Sequence, residues 1–354
     1  MELKELLALK KAIEKELQTQ LALERKKALK DSPRLVPFLD AARKFTLRGG
    51  KRFRAVLLLA GYHIAGGEDL RVALPAAAAL ETFQSWMLMH DDVIDHSEVR
   101  RDGPTMHLEM AKYHTDSNLL GADVEFGEGA AITLGDMMEP VTVRLLLAPK
   151  VPEGRKVALL SEYSEMTRQT AIGQMLDIYL SSVPVAKVTE KDVLTIHRLK
   201  SAVYSVSSPL RMGAILAGAE KPLLDTLQKA GDALGIAFQL RDDVLGLGLS
   251  DVEVVGKSTN DLFEGKRTLL VVHAWRHTDA SGRAALEKVL GNPLSSPRSL
   301  EIAQDVIRES GALDYSEERI RAFRELGLSR LKGLPKDSRA LMEEIGLLLT
   351  NRRN

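Results

Sequence analysis

The feature that most constrains this fold is an apolar spacing of three and four residues that recurs along almost the whole chain. Such spacing lines one side of an α-helix with apolar side chains, which are buried against neighbouring helices. Sustained alternation of apolar and polar residues, the sign of a half-buried strand, is missing. The sequence therefore predicts the all-α class, with residues 1–354 forming a single all-helical domain.

The predicted helices are separated by short segments rich in Gly, Pro and Asp. The helix predicted over Ala73–Ile94 is apolar nearly all round, so we expect it to be central in the fold. Thr189 and Asp192 form a capping pair that predicts the start of another helix at Glu190. The other predicted helices cover 3–29, 53–64, 126–147, 157–180, 190–217, 223–247, 268–276, 282–290, 299–310, 316–331 and 337–349.

Composition excludes several classes of function. The 49 basic and 49 acidic side chains balance, so no net charge draws the chain to nucleic acid or anionic lipid. The absence of Cys excludes disulfides and thiol catalysis. No stretch approaches the roughly 18 apolar residues of a membrane span, and the Lys/Glu-rich N-terminus has no apolar signal core. We therefore expect a cytoplasmic protein with no nucleic-acid partner and no transmembrane segment.

Two acidic segments stand near the ends of long apolar helices, about 150 residues apart. In the first, Asp91 and Asp95 share one helix face, and Asp92 points about 100° away. In the second, Asp242 and Asp243 repeat the adjacent pair. Carboxylates buried together cannot all stay ionised without a positive partner, and oxygen-only ligands suit Mg²⁺. The alternative for the first segment is a solvated acidic patch at a helix end.

Specific cations accompany these carboxylates. Lys51 and Arg54 lie on one face at the predicted start of a helix, and helix N-termini favour anions. Arg100 and Arg101 follow the first acidic segment. For any one of these residues alone, an ordinary surface cation is the favoured interpretation.

The ordered set of motifs resembles the trans-isoprenyl diphosphate synthases, the all-helical family that elongates allylic diphosphates. The motifs span about 220 residues and appear in the family's order. They are Gly-Gly-Lys-x-x-Arg at 49–54, Asp-Asp-x-x-Asp at 91–95, Arg-Arg at 100–101, Gly-Gln-x-x-Asp at 173–177, Lys-Ser at 200–201, Phe-Gln-x-x-Asp-Asp at 238–243 and Gly-Lys-x-x-x-Asp-x-x-x-Gly-Lys at 256–266. Each motif alone is weak to moderate evidence, and together they are very specific.

The resemblance implies an isoprenoid synthase-type helical bundle around a central active-site cleft. It also implies that three Mg²⁺ ions bridge the allylic diphosphate to Asp91, Asp95 and Asp242. The carboxylates expected to support these ions, partly through water, are Asp92, Asp177, Asp243 and Asp261. The groups expected to hold the allylic diphosphate, or to lie beside the developing cation, are Arg100, Lys200, Lys257, Lys266, Gln239 and Ser201. The residues assigned a catalytic role are Asp91, Asp95, Lys200, Ser201, Gln239 and Asp242.

The second substrate in this family is isopentenyl diphosphate. Its diphosphate would be held by Lys51, Arg54, Gln84 and Arg101. The growing chain would run along the apolar helix before Asp91, so the side chains expected to set its length are Trp86, Met87 and Phe83. The alternative for Trp86 is simple packing against a neighbouring helix.

These roles together predict a homodimeric, Mg²⁺-dependent prenyltransferase. It would condense isopentenyl diphosphate with dimethylallyl, geranyl or farnesyl diphosphate to give C15 to C20 products, with geranylgeranyl diphosphate slightly favoured over farnesyl diphosphate. A class I terpene cyclase shares the fold and the ionisation chemistry but needs no second diphosphate site, against which Lys51, Arg54 and Arg101 argue. A non-catalytic subunit of a heteromeric prenyl synthase would typically lose acidic residues that this chain keeps.

Some residues depart from the family's pattern or are interpreted as structural. Gly246 stands where many members have a third Asp, and Gln84 where His is common. His90, although next to the acidic motif, is expected to pack or to support a ligand, because Mg²⁺ prefers oxygen. His107 is expected in a loop.

Overall fold

The computed structural model describes residues 2–247 and 261–351, and helices dominate both parts. The strands within these residues form one hairpin, in which Val99 pairs with Pro104 and Arg100 with Gly103. This confirms the predicted all-α class. The described residues divide into two compact units, the first formed by 2–161 and 212–220 and the second by 162–211, 221–247 and 261–351.

The first half of the chain contains eight α-helices and the two strands of the hairpin. Their bounds are α1 Leu3–Ala8, α2 Lys10–Asp31, α3 Val36–Leu47, α4 Phe53–Ile64, α5 Leu74–Ile94, β1 Val99–Arg100, β2 Gly103–Pro104, α6 Met106–Asp116, α7 Asp123–Leu147 and α8 Glu153–Ser181.

The later described residues add eight α-helices and one π-helix. Their bounds are α9 Glu190–Ile196, the π-helix His197–Ser207, α10 Ser208–Ala217, α11 Lys221–Gly246, α12 Leu269–His277, α13 Ala280–Val289, α14 Pro297–Glu309, α15 Ala312–Ser329 and α16 Lys336–Thr350. Short 3₁₀ turns precede α3, α5 and α9, at Pro33–Leu35, Leu70–Val72 and Val185–Lys187.

Helix α5 lies in the core of the first unit, as its all-round apolar sequence predicts. Ala76–Ala79 are fully buried, so no side of this segment faces solvent. The small methyl groups let α4 and α7 pack along it, and Phe83 completes the buried surface. A central α5 fixes the position of the acidic residues at its C-terminal end.

Helix α11 has the same role in the second unit. It packs along the π-helix and α15. Its apolar side chains, among them Ile236, Leu240 and Val244, join a core cluster with Val193 of α9, Leu270 of α12 and Ile320 of α15.

The helix predicted over 190–217 is present over the same residues as α9, the π-helix and α10 in direct succession. Its start is the predicted capping box, with Thr189 Oγ1 accepting from the Asp192 backbone and Asp192 accepting from the Thr189 backbone. The π-helical hydrogen bonding of the middle segment was not predicted.

Two helices escaped prediction. Helix α3 has Pro33 shortly before it and Pro37 in its first turn, where the missing backbone N–H of proline costs nothing. Helix α6 contains His107, so the expectation of a loop there is wrong, and the His107 side chain is buried. The helix predicted over 3–29 is interrupted at Leu9, between α1 and α2.

A bilayer-spanning helix would need a long apolar stretch with few charges. Among the described residues no helix meets that requirement.

Candidate active site

The first acidic segment forms the C-terminal end of α5, and its residues up to Ile94 are helical. The backbone N–H of Asp95 donates to the carbonyl of Asp91 at 2.8 Å, so these two side chains share one face as predicted. Both are half-buried, whereas Asp92 is fully buried. One oxygen of Asp92, Oδ1, accepts from Arg100 Nε at 2.9 Å. The other, Oδ2, is buried and accepts no hydrogen bond from any described residue.

Electrostatics couple Arg100 to all three carboxylates. Burial raises the pKa of Asp92 to about 6, against the opposing effect of Arg100, and Asp91 and Asp95 raise it further. Burial also works against the charge on Arg100, but the three aspartates raise its pKa overall. The structure therefore brings the predicted diphosphate ligand Arg100 into direct contact with the predicted metal-supporting Asp92.

The loop that precedes α4 adopts an unusual backbone. Gly49, Gly50 and Arg52 have φ angles of 36°, 108° and 52°, in the left-handed region that glycine tolerates and arginine rarely adopts. A Cβ atom on Gly50 would lie 3.7 Å from the guanidinium carbon of Arg101, so the loop and this side chain meet. Lys51 is exposed between the two glycines and the first turn of α4.

Arg52 anchors this loop, and the sequence motif gave it no role. Its guanidinium is buried and donates to Glu14 at 3.3 Å, to Glu81 at 3.2 Å and to the Leu47 carbonyl at 3.2 Å. These contacts come from α2, α5 and the end of α3, and no local pattern identifies them. Lys51 comes directly before this anchor and Arg54 follows two residues after it.

Arginine charges accumulate behind the loop. Burial lowers the pKa of Arg101 to about 10, and the charges of Arg52, Arg54 and Arg100 lower it further, against the opposing effect of Glu81. The like charges around Arg101 repel its guanidinium, and a bound anion would relieve that repulsion. Arg54 and Arg101, both expected to bind isopentenyl diphosphate, therefore interact electrostatically.

Gln84 lies one turn after Glu81 on α5 and is 5% exposed. Its Oε1 is buried and has no hydrogen-bond partner among the described residues. Because Oε1 only accepts hydrogen bonds, the group of Gln84 that could donate to a diphosphate is Nε2.

In the second unit, the Gly-Gln-x-x-Asp motif has a direct structural explanation. A Cβ atom on Gly173 would lie 2.3 Å from the backbone nitrogen of Lys200, so only glycine lets α8 touch the π-helix there. Asp177, one turn further along α8, then reaches Lys200, whose Nζ donates to Oδ2 at 2.6 Å. The neighbouring Ser201 is half-buried.

The second acidic segment lies on α11 near its C-terminal end. Gln239 Nε2 donates to Oδ1 of Asp243 at 2.8 Å. Nε2 of His197, the first residue of the π-helix, lies 3.0 Å from Oδ2 of the same carboxylate. Asp242 is half-buried beside it. His197 was missed in the sequence analysis because it belongs to no motif.

The space beside Gly246 is filled by Asp261. A Cβ atom on Gly246 would lie 2.4 Å from Oδ2 of Asp261, so the Asp261 carboxylate occupies the space that a side chain at 246 would need. Lys266 Nζ lies 3.5 Å from Asp261 and also pairs with Glu264. Lys257, predicted to hold the allylic diphosphate, lies outside the described residues.

The chain is similar to known proteins. The family model for polyprenyl synthetases matches residues 36–307. The chain belongs to the polyprenyl synthetase family. This confirms the resemblance to the trans-isoprenyl diphosphate synthases and makes the protein an enzyme of the trans-prenyltransferase class.

Individual relatives agree with this synthase assignment. A geranylfarnesyl diphosphate synthase of Aeropyrum pernix is 32% identical over 306 residues, which cover 85% of this chain and 89% of that protein. A geranylgeranyl diphosphate synthase of Methanosarcina mazei is 31% identical and covers 82% of each chain. The crystal structure of a geranylgeranyl pyrophosphate synthase from Corynebacterium glutamicum, complexed with isoprenyl diphosphate and magnesium, is similar with a TM-score of 0.92 and 30% identity, over 99% of this chain and all of that one.

The carboxylates of this synthase fit a hard divalent cation that takes part of its coordination shell from substrate. All the candidate ligands offer oxygen, and Asp92 Oδ2 is buried without a donor among the described residues. Within residues 2–247 and 261–351, no three His, Asp or Glu side chains form a group that could hold a metal alone. Mg²⁺ usually binds through one or two carboxylates together with water and substrate phosphates, so oxygen ligands such as these suit it.

The predicted chain-length residues of the synthase lie on α5. Phe83 is fully buried, whereas Trp86 and Met87 are partly buried. The indole of Trp86 stands edge-on between Phe83 and His90, with ring centroids 5.8 and 6.2 Å away. A Cβ atom on Gly135 of α7 would lie 2.5 Å from His90 and 3.2 Å from Trp86, so this glycine makes room for both rings. His90 packs against Trp86, as expected, and its Nε2 lies 3.0 Å from the Ile132 carbonyl oxygen.

Proposed function

We propose that the protein is a Mg²⁺-dependent prenyltransferase. It condenses isopentenyl diphosphate with dimethylallyl, geranyl or farnesyl diphosphate to give C15 to C20 trans-prenyl diphosphates, with geranylgeranyl diphosphate slightly favoured over farnesyl diphosphate. The observation that carries this proposal is the contact between the loop at 49–54 and Arg101, whose guanidinium carbon lies 3.7 Å from where a Cβ atom on Gly50 would stand. A second diphosphate site of this kind favours condensation over the cyclase reaction, which uses one diphosphate.

The acidic segments support the ionisation step. Asp91, Asp95 and Asp242 would hold three Mg²⁺ ions, which when bound supply Lewis acidity to the departing diphosphate. Lys200 and Arg100 add positive charge where negative charge develops as the allylic C1–O bond breaks. The bond's electrons leave with the diphosphate, and the apolar side chains of α5 exclude water from the cation.

The loop around Lys51 supports the condensation step. Lys51, Arg54, Gln84 and Arg101 hold isopentenyl diphosphate so that its double bond faces C1 of the allylic cation. The π electrons form the new C–C bond, and a proton then passes from the former isopentenyl unit to the departed diphosphate. The product is five carbons longer, and no side-chain nucleophile takes part.

The relatives support the substrate class but differ in product. The Methanosarcina protein is named for the C20 product and the Aeropyrum protein for the C25 product. The length proposed here therefore rests on Phe83, Trp86 and Met87 of this chain.

We also propose a homodimer and a cytoplasmic location. Exposed apolar side chains occur along α7 and α8 and would suit a subunit interface, with Val124, Ile132, Val157, Met175 and Tyr179 each at least 44% exposed. Analytical ultracentrifugation would test the dimer. The cytoplasmic location rests on the composition described above.

The test is an elongation assay. Purified protein receives labelled isopentenyl diphosphate, Mg²⁺ and one allylic primer at a time, and the dephosphorylated products are separated by chromatography. We expect linear C15 and C20 alcohols. Cyclic hydrocarbons from the primer alone would support the cyclase, and activity that appears only with a second polypeptide would support the subunit interpretation.

A further inference from the structure

Helix α11 presents one continuous stripe of four residues to the π-helix. Gly231, Gly235, Gln239 and Asp243 are spaced by four, which aligns them along one helix face. A Cβ atom on Gly231 would lie 2.5 Å from Cα of Ser207, and one on Gly235 would lie 2.5 Å from Cβ of Ala202. The two glycines therefore bring the two helices into backbone contact.

The facing stripe on the π-helix is spaced by five: His197, Ala202 and Ser207. In an α-helix, five residues turn through about 500°, which leaves successive members roughly 140° apart. In a π-helix, hydrogen bonds join residues five apart, so the same three residues lie nearly above one another. The π geometry thus keeps all three against α11, with Ser207 near Gly231, Ala202 near Gly235 and His197 at Asp243.

At the last position of this interface two side chains hold one carboxylate. His197 Nε2 lies 3.0 Å from Asp243 Oδ2, and Gln239 Nε2 donates to Oδ1 at 2.8 Å. The side chains of His197 and Asp243 are 7% and 8% exposed. Each oxygen of this carboxylate therefore has a side-chain nitrogen within 3.0 Å, one from its own helix and one from the π-helix.

His197 has no second polar role in the described part of the chain. Its Nδ1 is buried and has no hydrogen-bond partner among those residues. A histidine used for packing alone would leave both ring nitrogens unsatisfied, at a cost that leucine avoids. The contact with Asp243 is the feature that accounts for an imidazole at this position.

We propose that His197 is a positioning residue that orients Asp243 toward the metal–diphosphate complex. The inference rests on the proposed function, in which Asp243 supports the Mg²⁺ ions. It requires an N–H group at the position of Nε2, whatever the charge on the ring. Partners that orient metal-supporting groups typically contribute 10–100-fold to metal affinity or activity.

The test compares His197→Leu with His197→Gln. Leucine keeps the bulk of the side chain without the donor, whereas the Gln amide nitrogen stands as many bonds from Cα as imidazole Nε2 and keeps it. The first readout is binding: the Mg²⁺ concentration that half-saturates the thermal shift in the presence of inorganic pyrophosphate. We expect His197→Leu to raise it roughly tenfold, and His197→Gln to stay within about twofold of the parent protein.

His114→Leu is the matched control. His114 is also buried and also has one polar contact, with the Leu120 carbonyl at 3.1 Å, but it lies on α6 in the other unit. We expect its half-saturating Mg²⁺ concentration to be unchanged. If His197→Leu does not fold, His197→Met repeats the test with a more adaptable side chain.

Elongation by the same variants separates the two proposals. A folded His197→Leu protein with native Mg²⁺ half-saturation and native kcat would overturn the positioning role, even if the parent enzyme elongates allylic diphosphates. If the parent protein elongates nothing, yet binds Mg²⁺ and pyrophosphate in a His197-dependent way, the positioning role stands and the proposed function fails.

Discussion

Nζ of Lys200 lies 2.6 Å from Oδ2 of Asp177, at the point where Gly173 lets α8 touch the π-helix. This ion pair directs the Lys200 ammonium, which is the group proposed to meet the allylic diphosphate. We expect Lys200→Ala to lower kcat by about 10²–10³-fold, because the group it would stabilise gains charge in the transition state. Steady-state kinetics with saturating substrates would measure this.

The control for Lys200 is Lys112. It forms a similar ion pair with Asp116, at 2.8 Å, on the exposed surface of α6. Lys112→Ala should keep kcat within about twofold, since exposed pairs contribute little. A Lys200→Ala enzyme that keeps its kcat but loses affinity for isopentenyl diphosphate would show that the two subsites are interchanged.

Lys51 and Arg101 should determine the affinity for isopentenyl diphosphate. Arg101→Ala or Lys51→Ala removes a charged contact to isopentenyl diphosphate, of about 1.5–3 kcal/mol, so the KM for this substrate should rise roughly 10- to 100-fold with a smaller change in kcat. Arg71→Ala is the control, because Arg71 is exposed and pairs with Asp69. An unchanged KM in both loop variants would favour the cyclase.

Metal dependence should be complete. EDTA should abolish turnover and added Mg²⁺ should restore it, and Asp91→Ala or Asp242→Ala should each lower the rate by about 10³-fold or more. Asp116→Ala removes an exposed carboxylate and serves as the reference. Near-native turnover in either site variant would show that the metal assignment is wrong.

Product length should respond to Trp86. Trp86→Ala empties the space beside Phe83 and His90, so we expect products of C25 or longer by chromatography. Because Trp86 is partly buried, the stability cost should lie below the ~3–5 kcal/mol of a fully buried aromatic.

The chain's second tryptophan, Trp275, provides the matched control. Trp275 lies on α12 and packs under Arg283 of α13. Trp275→Ala should therefore lower the free energy of unfolding and leave the products unchanged. The same products from a folded Trp86→Ala enzyme would place the end of the pocket elsewhere, with Phe83 the next candidate.

Stability should depend on pH through Asp232 of α11. Burial raises the pKa of Asp232, against the opposing effects of Ser207 and Arg198. A carboxyl whose pKa is higher in the folded chain opposes folding above that pKa, and the opposition disappears as pH falls toward the ordinary value of 3.8. Asp232→Asn should therefore raise the free energy of unfolding at pH 7, with the gain vanishing near pH 3.8.

Urea unfolding at several pH values would measure this gain. Asp225→Asn provides the contrast, because the hydrogen bond from Lys221 lowers the pKa of Asp225 and gives its pH dependence the opposite sign. A gain for Asp232→Asn that grew as pH fell would contradict the burial argument.

The sequence patterns correctly predicted helix ends that depend on neighbouring residues. The apolar spacing gave both ends of α4, Phe53 and Ile64, and the capping pair gave the start of α9 at Glu190. Helix α3 was missed because its two prolines look like breaks, although Pro37 falls where a helix accepts it.

The site was predicted in part. The motifs correctly placed Asp91 and Asp95 on one face and gave the family. They did not give Arg52 or His197, whose contacts join residues far apart in sequence: Arg52 reaches Glu14 and Glu81, and His197 reaches Asp243. The roles of the site residues remain predictions for the experiments above.

The π-helix constrains the number of residues between His197 and Ser207. Its alignment depends on hydrogen bonds between residues five apart, so removing one residue between His197 and Ser207 would favour ordinary α-helical winding. The side chains before the deletion would then change their angular position relative to those after it. Lys200 would turn away from Asp177, or His197 from Asp243. This segment should therefore tolerate substitutions better than the deletion of one residue, which would break one of these two contacts.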